Sequence, residues 1–255
     1  METNKGQKMF ASHDETELRS KFTTTFRECP IPGDEITQNL GLFADSKLWA
    51  RLLFLRHLYL LQLTTHGVIM DFGTRWGQNM AVFASLRGIY EPYNRFRRII
   101  GFDTFAGFPS VSPQDGNDPS IKVGGYTVTE GYEKYLDAVM AYHEQSNPMG
   151  HIKRYELVKG DVTETLPTYL ENHPETLISL VYCDMDLHQP TRECLRLLRP
   201  YLQPGAIIGF DELCEPVNPG ETIAFREIFG GKVHVERLPI TSRASYVVWN
   251  GDERS

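Results

Sequence analysis

The sequence of 255 residues has no long hydrophobic run, little cysteine and no dense cluster of basic residues. No window approaches the length of a membrane span, and the stretch from Met1 to Arg19 is polar, so we expect a cytoplasmic protein without a membrane partner. The four cysteines lack a metal-ligand spacing, which predicts reduced thiols rather than a zinc site. With 26 basic against 33 acidic residues the net charge is −7, which disfavours nucleic acid as a partner.

Two apolar runs end abruptly in carboxylates. Residues 177–183 lead into Asp184 and Asp186, and residues 206–210 lead into Asp211 and Glu212. Each run predicts a buried strand, and ligands bind at the C-terminal ends of strands in an open parallel sheet. Because several acids in one crevice repel unless a cation or proton lies among them, the pattern indicates a hard metal such as Mg²⁺. The alternative is that these acids cap helices.

From Gly67 onward, short apolar runs alternate with amphipathic stretches of helical length, which predicts a doubly wound sheet. Parallel strands are predicted over residues 68–73, 98–103, 155–160, 177–184 and 206–211. Helices are predicted over residues 78–89, 132–143, 163–172, 191–199 and 221–229. The runs 232–238 and 244–249 are joined by too short a connection for a helix, so they must pair antiparallel. We expect an α/β, Rossmann-like, seven-stranded, mostly parallel sheet with an antiparallel C-terminal hairpin and helices on both faces, the layout of class I S-adenosylmethionine-dependent methyltransferases.

Two segments lie outside this sheet. Residues 1–66 are predicted to form an N-terminal helical lid segment, and residues 67–255 the methyltransferase domain. Within the first segment, a strongly apolar helix over residues 46–63 would cover the site or form a dimer contact. Residues 107–130 are polar and interrupted by glycine and proline, which predicts a loop over the crevice that acts as a substrate gate.

The first predicted strand runs into a glycine-bearing turn, where Gly73 permits a close backbone approach and Gly77 lets the next helix begin against a ligand. Asp71 would lie near the ammonium group of a cofactor or else brace the turn. Asp103 would accept from ribose hydroxyls, and Asp161 from an adenine amine. Acids after three successive strands suit cationic S-adenosylmethionine better than a pyrophosphate. The predicted cofactor-binding residues are Asp71, Gly73, Thr74, Gly77, Asn79, Asp103, Thr104, Asp161, Val162 and Asp184.

Three motifs carry a family resemblance. Residues 184–191, DMDLHQPT, are similar to D-x-D-L-Y-x-x-T, and residues 198–205 together with 210–212 are similar to Y-P-x-L-x-P-G-G and V-D-D-Y. Residues 101–109, GFDTFAGFP, are similar to F-D-S-F-E-G-L-P. These patterns resemble the macrocin O-methyltransferase (TylF/MycF-like) family, whose members methylate sugar hydroxyls of macrolides and related natural products.

The resemblance implies that Asp184, Asp211 and Glu212 bind Mg²⁺ or Mn²⁺, with Asp184 also suited to act as the base. It also implies a homodimer or a larger homo-oligomer in which the N-terminal region helps to cover the site. The sequence departs from the family pattern at Glu212, where Asp is usual, at His188, where Tyr is usual, and at Asp161, where an aromatic residue is usual. The turn at residues 74–76 also reads T-R-W in place of V-W-R. Glutamate is still an oxygen ligand, so these departures bear mainly on acceptor selectivity.

A sugar hydroxyl is a poor nucleophile near neutral pH, so methyl transfer to it needs activation. A Mg²⁺ ion held by Asp184, Asp211 and Glu212 would chelate two neighbouring hydroxyls and lower the pKa of one of them. Asp184, or alternatively His188, would accept the proton. The sequence therefore predicts a metal-dependent O-methyltransferase that uses S-adenosylmethionine, with the sugar of a natural-product glycoside as the leading small-molecule acceptor.

Three other functions fit parts of the pattern. An N-methyltransferase would need no metal. An NAD-dependent oxidoreductase is disfavoured by the absence of G-x-G-x-x-G and of a Tyr-x-x-x-Lys pair, and by the predicted hairpin. A non-catalytic binding module would be expected to have a degenerate site, whereas the acids and both glycines are present here.

Overall fold

The computed structural model describes residues 12–251, and its centre is a seven-stranded sheet of order β3-β2-β1-β4-β5-β7-β6. The strands are β1 (Val68–Phe72), β2 (Ile99–Asp103), β3 (Tyr155–Lys159), β4 (Ile178–Cys183), β5 (Leu202–Phe210), β6 (Glu236–Arg237) and β7 (Ser245–Trp249). Strands β1 to β5 pair parallel, and β7 pairs antiparallel with β5 and β6. The predicted parallel sheet with an antiparallel C-terminal hairpin is confirmed, although β6 has only two residues.

Helices lie on both faces of the sheet. Within residues 12–251 the α-helices are α1 (His13–Arg27), α2 (Gly33–Ile36), α3 (Ser46–Leu61), α4 (Gln78–Tyr90), α5 (Tyr132–Gln145), α6 (Val162–Asn172), α7 (His188–Leu198) and α8 (Gly220–Phe229), and those that pack on the sheet are α3 to α8. Helix α7 begins three residues before the predicted start at Thr191, because the backbone N–H of His188 donates to Asp115 in the long loop at 2.6 Å. This distant side chain satisfies a helix N-terminal donor that the local sequence leaves open.

Alternating residues of the buried strands supply two separate hydrophobic cores. On one face Val68, Met70 and Phe72 of β1 pack with residues of α6, α7 and α8, whereas Ile69 packs with residues of α3, α4 and α5 on the other. This alternation follows from the two-residue period of a strand. The double coverage explains why the central strands are largely apolar and why their C-terminal ends are the accessible part of the sheet.

Helix α3 belongs to the second of these cores. Phe54, Leu55, Leu58 and Tyr59 are buried, and Asp45 caps the helix by accepting from the backbone N–H of Leu48 at 2.8 Å. The boundary predicted near residue 66 therefore crosses a shared core, and the division into two domains stays a prediction. Residues 1–11 of the predicted lid segment lie outside the described residues.

The long loop between β2 and α5 has little regular structure but is well packed. It contains one 3-10 turn, Pro113–Asp115, and Phe108 and Gly125 are joined by a backbone hydrogen bond at 3.0 Å. Asp115 and Asp118 of the loop are buried. The loop therefore forms one wall of the cleft described below. Across residues 12–251, no helix is long and apolar enough to cross a membrane.

Candidate active site

A cavity of about 430 Å³ lies at the C-terminal ends of β1, β2, β4 and β5. Its walls come from the turn after β1, the ends of β2 and β4, the long loop and the beginning of α6. Of the residues predicted from sequence, those that line it are Gly73, Thr74, Asn79, Asp103, Thr104, Asp161, Val162, Asp184 and Asp211. Ends of neighbouring parallel strands are the expected ligand site in a sheet of this kind.

The turn between β1 and α4 holds the backbone close to β4. Gly73 has a φ of +82°, and a Cβ atom there would collide with the backbone carbonyl of Asp184. Thr74 donates through its hydroxyl to the Asp71 carbonyl at 3.1 Å, which closes the turn. Gly73 is therefore required for the close approach of two strand ends rather than only for flexibility.

Asp103 faces the cavity from the end of β2. Its two carboxylate oxygens accept backbone N–H donors from Arg75 at 2.7 Å and from Phe105 at 2.6 Å. Burial raises the pKa of Asp103 despite these two hydrogen bonds. The fixed carboxylate retains lone pairs that suit the paired hydroxyls of a ribose, as the sequence predicts.

Residues after β3 form the neighbouring part of the wall. Asp161 caps α6, because its Oδ1 accepts from the backbone N–H of Thr163 at 2.9 Å. The Thr104 hydroxyl donates to the Gly107 carbonyl at 2.7 Å. Both residues line the cavity together with Val162, as predicted for cofactor-binding residues.

Two predicted cofactor residues lie behind the cavity wall. Asp71 is fully buried, and its Oδ1 accepts from Nδ2 of Asn79 at 3.0 Å. This position favours the bracing role for Asp71, with Asn79 as the residue that reaches the cavity. Gly77 is also outside the lining residues, and a Cβ atom there would collide with Leu136 of α5, so its glycine serves helix packing.

The predicted carboxylates converge at the ends of β4 and β5, but an arginine lies between two of them. Arg51 of α3 donates from Nη2 to Oδ2 of Asp184 at 2.8 Å and from Nη1 to Oδ1 of Asp211 at 2.5 Å. Its Nη2 also lies 3.1 Å from Oδ1 of Asn79. The Tyr182 hydroxyl donates to Asp211 at 2.9 Å. Arg51 therefore joins the N-terminal part of the chain to the centre of the cleft.

Asp184 and Asp211 lie close together, and the Arg51 guanidinium is the positive charge between them. Burial and the negative charge of Asp211 raise the pKa of Asp184, and the Arg51 guanidinium opposes them. Burial and Asp211 also raise the pKa of Asp186 to about 7. Asp186 lines the cavity with a φ of +61°, a strained backbone conformation for a residue other than glycine.

Glu212, the third predicted metal ligand, points elsewhere. Its side chain is only 1% exposed and forms an ion pair with Arg243, and Glu212 is not among the residues that line the cavity. Within residues 12–251, no group of three or more His, Cys, Asp or Glu side chains is arranged to hold a metal ion. With Arg51 between Asp184 and Asp211, this arrangement does not fit a bound metal, and the metal ligand set stays a prediction.

His188, the alternative proton acceptor, lies at the beginning of α7 and outside the lining residues. It is 8% exposed, and its Nε2 lies 3.1 Å from a carboxylate oxygen of Glu227 in α8. The imidazole therefore contacts α8 rather than the cavity. Of the two candidate bases, only Asp184 lines the cavity.

Sequence reasoning missed three arginines of the cleft, Arg51, Arg75 and Arg243. Arg75 packs over the ring of Tyr126, with its guanidinium carbon 4.8 Å from the ring centroid. Arg75 lies in the glycine-bearing turn, so its position could have been anticipated. The sequence contained one indication that Arg51 has a special role, because it lies among apolar residues in the first turns of α3.

Comparisons with known proteins also indicate an O-methyltransferase. Neither protein-family models nor curated sequences gave a match. Among solved structures, the calicheamicin methyltransferase CalS11 is 44% identical, with a TM-score of 0.91, over 94% of this chain and 95% of that one. A second CalS11 structure, in the apo state and described as a TDP-rhamnose 3'-O-methyltransferase of calicheamicin biosynthesis, is 40% identical, with a TM-score of 0.83, over 94% and 96% of the two chains.

The O-methyltransferase NovP shares the fold, with a TM-score of 0.59 at 18% identity over 79% of this chain and 80% of that one. The similarity to CalS11 sets aside the NAD-dependent and N-methyltransferase alternatives. Identity to CalS11 over nearly the whole of both chains, together with the sheet order and the acid-lined cleft, shows the family. The chain belongs to the family of O-methyltransferases that contains CalS11, and it is a class I S-adenosylmethionine-dependent O-methyltransferase.

Proposed function

We propose that this enzyme transfers the methyl group of S-adenosylmethionine to a hydroxyl of a small-molecule sugar in a natural-product pathway. The observation that carries the proposal is the position of Asp184, which lines the cavity beside the glycine-bearing turn and shares Arg51 with Asp211. The similarity to CalS11, a TDP-rhamnose 3'-O-methyltransferase, supports a sugar as the acceptor.

The proposed reaction is an in-line displacement. The acceptor oxygen forms a bond to the methyl carbon while the carbon–sulfur bond breaks and its electron pair returns to sulfur. The hydroxyl proton passes to the Asp184 carboxylate, whose raised pKa makes it a better proton acceptor than an exposed aspartate. The fixed backbone of the turn and of β4 would hold the two reactants at roughly 3 Å, the separation required for attack.

The sugar acceptor is proposed in one of two forms, a nucleotide-activated deoxysugar or a glycoside. The nucleotide-activated form is the first to test, because two arginines, Arg75 and Arg243, line the cavity. Guanidinium groups recognise phosphate oxygens through paired hydrogen bonds. A glycoside without phosphate would not use this charge.

The proposal also includes a divalent cation that takes part in methyl transfer. Carboxylate oxygens suit Mg²⁺ or Mn²⁺, and Asp184 and Asp211 would supply two ligands if Arg51 left them. The steps above involve only residues of the chain, because the present arrangement does not fit a bound ion.

The homo-oligomer expected from the family resemblance is also kept as a proposal. Helix α1 has no buried residue, and its apolar side chains Leu18, Phe22 and Phe26 are 67%, 41% and 43% exposed. Exposed apolar patches of this kind mark contact surfaces. Light scattering on the purified chain would give a mass of at least twice the protomer if the proposal is right.

The test of the function is a methyl-transfer assay with S-adenosylmethionine labelled in its methyl group. The acceptors are a TDP-deoxyhexose, the same free sugar and a glycoside of it, each with Mg²⁺ and with EDTA. We expect labelled O-methyl sugar from at least one acceptor, and loss of product in EDTA if the cation is required. Folded enzyme that methylates none of these sugars would contradict the acceptor class, and full activity in EDTA would contradict the cation.

A further inference from the structure

Asn218 lies in the segment that joins β5 to α8, and it is one of the residues that line the cavity. It belongs to the wall of the cleft rather than to the outer surface, because it is only 8% exposed. The steps of methyl transfer given above make no use of its side-chain amide.

The backbone on both sides of Asn218 is held in place. The Val217 carbonyl accepts a hydrogen bond from the backbone N–H of Asn117 in the long loop at 3.1 Å. Pro219 is the N-cap of α8, and its carbonyl accepts from the backbone N–H of Ile223 at 2.9 Å. Proline also restricts the conformation of the residue before it. The amide is therefore presented from a fixed point, as a group that recognises a ligand requires.

The Asn218 amide is not used to cap the helix that follows it. Helix α8 has no side-chain hydrogen bond at its N-cap. Oδ1 of Asn218 is buried and has no hydrogen-bond partner within residues 12–251. A buried amide oxygen without a donor destabilises the folded chain. The residue is therefore better explained by a ligand that supplies the missing donor than by a structural role.

A hydroxyl group has the chemistry to pair with this amide. An amide has an acceptor oxygen and a donor nitrogen, and a half-turn of the side chain exchanges the two. A hydroxyl both donates and accepts, whereas a carboxylate or an ionised phosphate only accepts and would leave Oδ1 unpaired. A sugar carries several hydroxyls, so one can pair with the amide while another is methylated.

The strand order places Asn218 on the acceptor side of the cleft. Asp103 and Asp161, which are predicted to bind the adenosine part of the cofactor, follow β2 and β3, whereas Asn218 follows β5. Strands β1 and β4 lie between β2 and β5, which separates β2 from β5 by roughly 14 Å. Gly220 packs so closely on the Asp186 carbonyl that an added Cβ would lie 2.6 Å from it. The segment of Asn218 is thus held beside the end of β4, far from the predicted adenosine site.

We propose that Asn218 is a specificity-determining residue, which hydrogen-bonds a hydroxyl of the acceptor sugar other than the one that is methylated. This rests on the proposed function, methyl transfer to a sugar. An acceptor that lacks this hydroxyl leaves the buried amide unpaired, so the enzyme rejects it more strongly than an apolar wall would. The amide lowers the stability of the ligand-free protein and selects the acceptor.

The test compares kcat/KM for the TDP-deoxyhexose that wild type methylates with kcat/KM for analogues that each lack one of its other hydroxyls. If wild type uses the glycoside instead, the same series is made as glycosides. We expect wild type to favour the parent sugar over one analogue by at least about 100-fold. Asn218→Leu, of similar size but without polar atoms, should reduce this preference to less than about tenfold, chiefly because the parent sugar reacts more slowly.

Urea unfolding of the ligand-free protein separates recognition from a structural role. Removal of an unpaired buried amide should leave Asn218→Leu at least as stable as wild type. Asn147→Leu is the matched control, because Nδ2 of Asn147 donates to the carbonyls of Ala84 at 3.2 Å and His143 at 2.8 Å, away from the cavity. The control variant should be less stable than wild type and keep the wild-type preference among acceptors.

Failure of this proposal can be told apart from failure of the proposed function. An unchanged preference in folded Asn218→Leu would overturn the role of Asn218 alone. A loss of stability in Asn218→Leu as large as that in Asn147→Leu would do the same, as would equal kcat/KM of wild type for all the sugars. Wild-type protein that methylates no sugar in either form would overturn the proposed function, and the role of Asn218 with it.

Discussion

Asp184 contacts three elements around the cleft, namely β1, the turn after it and α3. Its backbone N–H donates to the Phe72 carbonyl at 2.9 Å, its own carbonyl lies against Gly73, and its carboxylate binds Arg51. The residue is thereby fixed by β1, by the turn and by α3 at once. This restraint is what a proton acceptor needs if it is to remain aligned with a bound hydroxyl.

Asp184→Asn should remove the proton acceptor while preserving the shape of the side chain. We expect kcat to fall by roughly 10²–10⁴-fold, the usual contribution of general acid–base catalysis, with S-adenosylhomocysteine affinity changed only slightly. His188→Gln is the matched comparison and should keep kcat near wild type, because the imidazole is outside the cavity wall. A larger loss in His188→Gln than in Asp184→Asn would assign the base to His188.

The β1–α4 turn is the element on which the cofactor side depends. Gly73 and Gly77 both have positive φ, at +82° and +78°, but they serve different neighbours. Gly73 admits the end of β4, and Gly77 admits Leu136 of α5. One turn thus joins the cleft to the packing of two other elements.

Gly73→Ala should destabilise the protein through this turn. An added Cβ meets both an unfavourable φ and the Asp184 carbonyl, whereas Gly131, at a φ of +74°, has no atom within 4 Å of an added Cβ. Gly131→Ala should therefore lower the free energy of unfolding only by the cost of a left-handed backbone conformation at alanine, roughly 1–2 kcal/mol. Urea unfolding should show a clearly larger loss for Gly73→Ala, and equal losses would show that the close approach is not restrictive.

The elements also show what the sequence can and cannot predict. Strands β4 and β5 were predictable because each is an apolar run that leads directly into acids, and Asp184 and Asp211 mark the cleft for the same reason. Arg51 was not predictable, because its partners lie 133 and 160 residues away and its own helix reads as apolar. The orientation of Glu212 toward Arg243 likewise depends on a loop that only the folded chain brings near.

At the scale of the whole molecule, buried acids make the free energy of unfolding depend on pH. Burial raises the pKa of Asp71 from 3.8 to about 6. Between these values the folded state holds a proton that the unfolded state has lost. The stabilisation is therefore fully present below the unfolded pKa and is lost as the pH rises to about 6.

Asp71→Asn removes this titration but retains an oxygen that can accept from Asn79. We expect the stability of the variant relative to wild type to increase from pH 4 to pH 6 by on the order of 3 kcal/mol and then to level off. Chemical unfolding at a series of pH values measures the difference. Asp34→Asn, at an exposed position in α2, is the matched control, and a flat profile for Asp71→Asn would contradict the assignment.

Placement of the cofactor in this cleft can be tested by calorimetry of S-adenosylhomocysteine binding to wild type and Asp103→Ala. If the adenosine part of the cofactor lies against Asp103, S-adenosylhomocysteine should bind clearly to wild type and at least tenfold more weakly, by about 1.4 kcal/mol, to the variant. His188→Gln should bind like wild type. Absence of binding to folded wild-type protein, or equal affinity in Asp103→Ala, would contradict the placement of the cofactor in this cleft.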